Sequence, residues 1–177
     1  MIRGALAAAT AVFLLASAGE AGPAELPAAT FQNQNGHTLG LASLRGRVVV
    51  VVYGTRDGID QHVAWGKRID GELRARSVYR MEDTHERRPV QILAVAQMGG
   101  IPEPFRRMLR AYLRLHVEKG YSLWLDWEDR MSALYGSHGH LTTVVVADRD
   151  GAVRLVISGR PEGEAWRQVS ELLLRLT

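Results

Sequence analysis

The most informative segment for predicting the fold is Val48-Val49-Val50-Val51-Val52-Tyr53. Five consecutive valines leave this strand without a polar face, which is typical of a central parallel strand that is covered on both sides. Gln91–Ala96 has the same character and predicts a second buried strand. Between the two, Ile59–Arg76 is compatible with a helix. The sequence therefore predicts an α/β protein built around buried parallel strands.

Shorter elements extend this core in both directions along the chain. Asn35-Gly36 predicts a hairpin turn, since both residue types tolerate positive φ. Thr142–Ala147 and Ala152–Ile157 predict two antiparallel strands joined by a turn at Asp148–Gly151. The other predicted elements are a short strand over Ser122–Trp127 and helices opening at Pro102, Glu128 and Glu162. The expected architecture is a three-layer sandwich whose mixed sheet ends in an antiparallel hairpin plus a helix.

The first residues have the pattern of a secretion signal. Arg3 is followed by the apolar run Ala5–Ala16 and by the small residues Ala16-Ser17-Ala18, the order that signal peptidase recognises. The run is shorter than the ~20 residues that a membrane-spanning helix needs. We expect cleavage after Ala18 or Ala21. The predicted organisation is a signal peptide over 1–18, a linker over 19–30 and a domain over 31–177, in a protein that is periplasmic or secreted.

Composition excludes several classes of function. The chain has 177 residues, enough for one domain, and its formal net charge of +3 is too small to indicate a nucleic-acid binder. It has no cysteine. Disulfides, thiolate nucleophiles and cysteine-bound zinc are therefore excluded.

Several strings, in consistent order over nearly all of Phe31 to Leu176, resemble the redoxin branch of the thioredoxin-like superfamily. This branch contains peroxiredoxins and thiol–disulfide oxidoreductases. The strings are Asn35–Leu39, Leu44–Val50, Tyr53–Arg56, Tyr135-Gly136 and Leu141–Gly151. The resemblance implies a thioredoxin-like fold, with a functional site just after the first central strand.

At that site the sequence departs from the family. A typical member reads Gly-Thr-Trp-Cys-x-Pro-Cys, whereas this chain reads Gly-Thr-Arg-Asp-Gly-Ile-Asp over residues 54–60. The resemblance thus places Asp57 and Asp60 at the positions of the two cysteines, and Leu141 at the position of the family's cis-proline. A carboxylate cannot form or exchange a disulfide, so we expect neither peroxidase nor reductase activity and assign no catalytic residue.

Two interpretations of Asp57 and Asp60 remain open. They can form a capping box, with Asp57 at the N-cap of the following helix. Alternatively, they can bind a divalent metal together with His138 and His140, which precede Leu141, because carboxylate and imidazole both suit such an ion. The remaining histidines are expected to be ordinary surface or hydrogen-bonded residues: His37, His62, His85 and His116.

The helix that opens at Pro102 is predicted to be amphipathic. Its apolar positions are Phe105, Met108, Leu109, Tyr112 and Leu113. Arg106, Arg110 and Arg114 form a basic stripe that is expected on the solvated face, where a weak contact with an anionic membrane surface is a further possibility.

Together these patterns predict an exported, non-redox binding or accessory module whose partner is an unidentified protein or small molecule. A divalent-metal binder or metal-dependent enzyme that uses Asp57, Asp60, His138 and His140 is the alternative.

Overall fold

The computed structural model describes residues 24–78, 88–118, 121–136 and 141–177. These residues form one seven-stranded sheet in the order β2-β1-β5-β4-β3-β6-β7. The strands are β1 (Thr30–Asn33), β2 (Thr38–Gly40), β3 (Val48–Thr55), β4 (Val90–Gln97), β5 (Leu123–Asp126), β6 (Thr143–Ala147) and β7 (Val153–Ser158). The helices are α1 (Ile59–Ala75), α2 (Glu103–His116), α3 (Arg130–Tyr135) and α4 (Gly163–Leu176).

The valine-rich strand β3 lies inside the sheet, as predicted. It pairs in parallel with β4, and in antiparallel orientation with β6. Strands β4 and β5 are also parallel, whereas β6 and β7 form an antiparallel hairpin. The predicted mixed sheet with central parallel strands and a C-terminal hairpin is therefore confirmed.

The two faces of β3 enter two different cores. Val49 and Val51 pack in one cluster with Met131 of α3, and Val50 packs in the other with Trp65 of α1. Burial of one such side chain contributes on the order of 1.5 kcal/mol, so a strand of valines stabilises the fold only when both faces are covered. Helices on both sides of the sheet provide that cover, which confirms the three-layer α/β architecture.

The N-terminal boundary of the domain differs from the prediction. The predicted signal peptide over 1–18 and the first part of the predicted linker lie outside the described residues. From Ala24 onward the chain is attached to the domain: the Val153 amide donates to the Ala24 carbonyl at 2.8 Å, and the Leu26 amide donates to the Gly151 carbonyl at 2.9 Å. The domain therefore begins before the predicted boundary at Phe31, because backbone hydrogen bonds join this segment to the end of the C-terminal hairpin.

Helix α3 begins two residues later than predicted. Asp129 has a left-handed backbone conformation with φ of 50°, so the helix cannot include it. The buried Asp126 carboxylate instead accepts a hydrogen bond from the Met131 amide at 2.9 Å. This bond satisfies one of the free amides at the start of the helix.

Helix α2 is rotated relative to the prediction. Leu113 is buried, but Phe105, Met108 and Tyr112 are exposed. Two arginines of the stripe expected on the solvated face, Arg106 and Arg110, are instead partly buried. The amphipathic pattern predicted the helix correctly but not the side that faces the sheet.

Candidate functional site

The edge of the sheet at the carboxyl end of β3 is the place where the sequence predicted the site. A short 3-10 turn, Arg56–Gly58, follows β3 and leads into α1. Strand β6 runs antiparallel to β3 with Thr143 opposite Tyr53, so the residues just before Thr143 lie beside the end of β3. A Cβ atom at Gly54 would lie 3.3 Å from the Leu141 carbonyl oxygen. The structure therefore brings Leu141 to the edge where α1 begins, while His138 and His140 lie outside the described residues.

The predicted capping role of Asp57 is wrong. The N-cap of α1 is Gly58, which has no side chain that could cap the helix. The reason is the intervening 3-10 turn, which places Asp57 before the first turn of α1. Its exposed carboxylate lies 3.8 Å from the Arg56 guanidinium. Asp60 is also exposed and lies within the first turn of α1, where a negative charge is favourable to the helix dipole.

His62 is the main feature of this site that the sequence analysis missed. It was expected at the surface or in a hydrogen bond, but it is fully buried, and neither ring nitrogen has a hydrogen-bond partner among the described residues. Burial lowers the pKa of His62 from 6.5 to about 4, so the ring is neutral at physiological pH. Helical spacing could have found it, because His62, Trp65, Ile69 and Leu73 follow one another along the buried face of α1.

Hydrogen bonds fix the segment after Leu141 relative to α1. The Trp65 indole donates to the Gly159 carbonyl at 3.0 Å, and the Gly159 amide donates to the Thr142 carbonyl at 2.8 Å. The hydroxyls of Thr143 and Ser158 lie 2.8 Å apart across the β6–β7 pair. Leu141 is thus held beside β3 by contacts that run from α1 through β7, and it is itself 36% exposed.

Beneath this edge lie further polar groups that have no hydrogen-bond partner within the described ranges. Besides His62, the Thr142 hydroxyl and the Gln61 side-chain oxygen are buried in this way. Such groups are costly when they are unsatisfied. The described residues near the edge thus include buried polar groups that are neutral.

Two buried tyrosines belong to the opposite face of β3. The Tyr53 hydroxyl donates to the Gly136 carbonyl at 2.8 Å. Burial raises the pKa of Tyr53 and of Tyr135 to about 12. Both phenols therefore remain protonated near neutral pH, and neither has the pKa of a general base.

The described residues do not form a metal site among themselves. Within 24–78, 88–118, 121–136 and 141–177, no three histidine or acidic side chains converge as a metal site. Asp57 and Asp60 are the exposed acids at the edge.

Comparison with known proteins identifies the fold. No protein-family model and no curated protein matches the chain. Solved structures do. A candidate thiol:disulfide interchange protein DsbE from Chlorobium tepidum is similar with a TM-score of 0.58 and 20% identity, over 89% of this chain and 99% of that one.

Two lipoproteins are similar over comparable lengths. A SCO1/SenC family lipoprotein from Bacillus anthracis has a TM-score of 0.57 and 16% identity, over 86% of this chain and 94% of its own. The exposed lipoprotein thioredoxin Etrx1 from Streptococcus pneumoniae has a TM-score of 0.55 and 15% identity, over 81% and 98%. At these identities the likeness concerns the fold. The chain has the thioredoxin-like fold, and it has that fold without a single cysteine.

Proposed function

We propose that the protein is an exported, non-redox binding module that takes a protein or small-molecule ligand at the edge formed by Gly54, the start of α1 and Leu141. One observation carries the proposal. Asp57 and Asp60 stand at the positions of the family's thiols, and both are exposed, as is Leu141 at the same edge of the sheet.

No residue of this chain can carry out thiol chemistry. Disulfide exchange requires a thiolate that attacks a sulfur atom, and the sequence contains no cysteine. The buried imidazole of His62 lacks a thiol to activate, and its pKa of about 4 makes it a weak base. The residues at this edge are therefore better suited to holding a ligand than to transforming one.

Ligand binding at this edge is supported by the mixture of groups that it offers. Leu141 provides an apolar contact on a segment that hydrogen bonds hold in place. Asp57 and Asp60 add negative charge nearby on the chain. Sites for small molecules and peptides combine apolar contact with a few fixed polar groups in this way.

Export is supported by the N-terminal sequence pattern that ends at Ala18. Two of the similar structures are lipoproteins, which is consistent with a location outside the cytoplasm. Intact-mass measurement of the exported protein tests this part of the proposal: a chain that retains Met1 would contradict it.

The binding role is tested by nuclear magnetic resonance with an alkylated insulin B chain, an extended polypeptide without reactive thiols. We expect shifts of backbone signals in residues 54–60 and 141–143, and their loss in Leu141→Glu. Val156→Glu is the matched control, because Val156 is similarly exposed, at 38%, but lies on β7. Turnover of insulin disulfides or peroxide by the pure protein, or shifts that survive Leu141→Glu, would contradict the proposal.

A divalent-metal site is the second candidate. It is favoured by the finding that Gly58 is the N-cap of α1, which leaves the exposed carboxylates of Asp57 and Asp60 free of that role. His138 and His140 would supply imidazole ligands under this alternative.

A further inference from the structure

Helix α2 carries an apolar surface that the described part of the protein does not cover. We call it the outer row, and its members are Phe105, Met108, Tyr112 and Leu115, which are 55%, 66%, 56% and 84% exposed. They follow one another at intervals of three or four residues, so they share one side of the helix. Isolated exposed apolar residues are ordinary, but a continuous row of large ones marks an interaction surface.

The outer row is exposed because arginines occupy part of the side of α2 that faces the protein. The Arg106 guanidinium lies over the Trp127 ring at 5.0 Å and donates to the Ile101 carbonyl at 3.1 Å. Arg110 donates to the side-chain oxygen of Gln32 in β1. These contacts fix the rotation of α2, so that only the adjoining apolar residues, such as Leu113, reach the core.

The charges on and beside α2 are predominantly positive. Its acidic residue Glu103 is paired with Arg106 at 3.1 Å, and beyond its end Glu118 is paired with Lys67 at 2.7 Å. Arg107 and Arg114 are exposed and make no ion pair with any described residue. The helix therefore presents an apolar row together with positive charge that no acid of the described residues neutralises.

We propose that α2 docks on an anionic membrane surface, with the outer row inserted at the level of the lipid headgroups and Arg107 and Arg114 on the phosphates. An apolar side and a basic side on one helix are the combination by which interfacial helices bind such membranes. Tyr112 also suits this boundary, because its ring is apolar and its hydroxyl is polar. Within the described ranges no helix is long and apolar enough to cross a bilayer, so α2 would lie along the surface.

The charge pattern favours this occupant over a second copy of the chain. Two copies related by a twofold axis would bring the same surface of each copy together. Arg107 and Arg114 of both copies would then meet without unpaired acids on α2 to balance them. Anionic headgroups supply the negative charge that a second copy lacks.

The experiment is co-sedimentation of the purified protein with vesicles of equal parts phosphatidylcholine and phosphatidylglycerol, and with vesicles of phosphatidylcholine alone. We expect binding to the anionic vesicles only. The double substitution Met108→Glu and Leu115→Glu should abolish it. Replacing Arg107 and Arg114 with Gln should weaken it by about thirtyfold, because each basic residue near an anionic surface contributes about 1 kcal/mol of binding free energy.

The matched control is the pair Leu134→Glu and Val156→Glu. These residues are 40% and 38% exposed outside α2, and their substitution adds the same two negative charges. The control should bind as the wild type does. All variants share one N-terminus, so the apolar segment Ala5–Ala16 cannot produce a difference between them.

Three results would overturn the proposal. The first is a wild-type protein that stays in solution with anionic vesicles, and the second is a control that loses binding as fully as the outer-row variant. The third is a stable dimer, detected by sedimentation velocity, that the outer-row substitutions dissociate. The last result would assign the row to a second copy. None of these outcomes depends on the ligand edge at Leu141, so the two proposals can fail separately.

Discussion

Gly54 and His62 are packed so closely that no side chain fits between them. A Cβ atom at position 54 would lie 2.6 Å from the His62 Nε2 atom, shorter than real Cβ contacts allow. The end of β3 and the beginning of α1 thus contact each other through a glycine and a buried imidazole. This contact sets the distance between the strand and the helix at the candidate site.

Gly54→Ala should destabilise the protein by about 1–3 kcal/mol, because the added methyl group overpacks a site bounded by His62 and by the Leu141 carbonyl. Urea unfolding followed by circular dichroism measures the effect. Gly66→Ala is the control: a Cβ there meets nothing within 4 Å, and alanine in place of glycine within a helix should stabilise by about 0.5–1 kcal/mol. Equal stabilities of the Gly54→Ala variant and the wild type would show that the contact is looser than described.

The stability of the protein should decrease as the pH is lowered, because His62 takes up a proton more readily in the unfolded chain. The unfolded chain binds a proton at this residue below about pH 6.5, whereas the folded chain does so only below about pH 4. Because the unfolded state binds more protons in this window, stability is lost as pH falls through it, by up to about 3 kcal/mol. Urea unfolding at a series of pH values measures the slope.

The variant His62→Leu separates the contribution of His62 to the pH dependence of stability from that of the carboxylates, which titrate in both proteins. The variant should lose less stability than the wild type between neutral and acid pH. Parallel pH profiles of the wild type and His62→Leu would contradict the burial of a neutral imidazole at this position.

Asp57→Ala should change the free energy of unfolding by less than about 0.5 kcal/mol, because the exposed carboxylate caps no helix. Asp126→Ala is the informative comparison. Its buried carboxylate accepts from the amides of Met131 at 2.9 Å and Glu128 at 3.3 Å, and loss of these bonds should cost about 1–3 kcal/mol. A large loss in Asp57→Ala, measured by the same urea titration, would restore a structural role to that residue.

A chelator should leave the thermal unfolding temperature unchanged if the edge at Asp57 binds ligands without a metal. If Asp57 and Asp60 hold a divalent ion with His138 and His140, the chelator should lower that temperature. Asp57→Asn and His140→Gln should then each abolish the sensitivity. Differential scanning fluorimetry with and without chelator distinguishes the two candidate functions.

Much of the fold could be predicted because some stretches of sequence are stable in only one kind of structural environment. Five adjacent valines need cover on both faces, which places β3 inside a three-layer structure whatever surrounds it. Asn35-Gly36 gives a turn because Gly36 adopts φ of 89° at no steric cost. The absence of cysteine likewise excludes thiol chemistry without reference to the structure.

The candidate site was predicted only in part. The resemblance placed Asp57, Asp60 and Leu141, and the structure brings Leu141 to the edge where α1 begins. The capping role failed because a 3-10 turn separates Asp57 from the helix, and sequence alone does not fix the first residue of a helix. His62 was missed because a histidine has no preferred burial, although its spacing with Trp65 marked the inner face of α1.

By itself, then, the sequence determined which segments are strands and helices, and that no thiol acts here, since these follow from local pattern and composition. The side of α2 that faces the protein depends instead on long-range packing. The partners that fix its rotation are Trp127 and Gln32, which belong to segments distant in sequence and meet the helix only when the sheet has formed. An amphipathic pattern indicates that a helix has two chemically different sides, but the contacts made by Arg106 and Arg110 determine which side is buried.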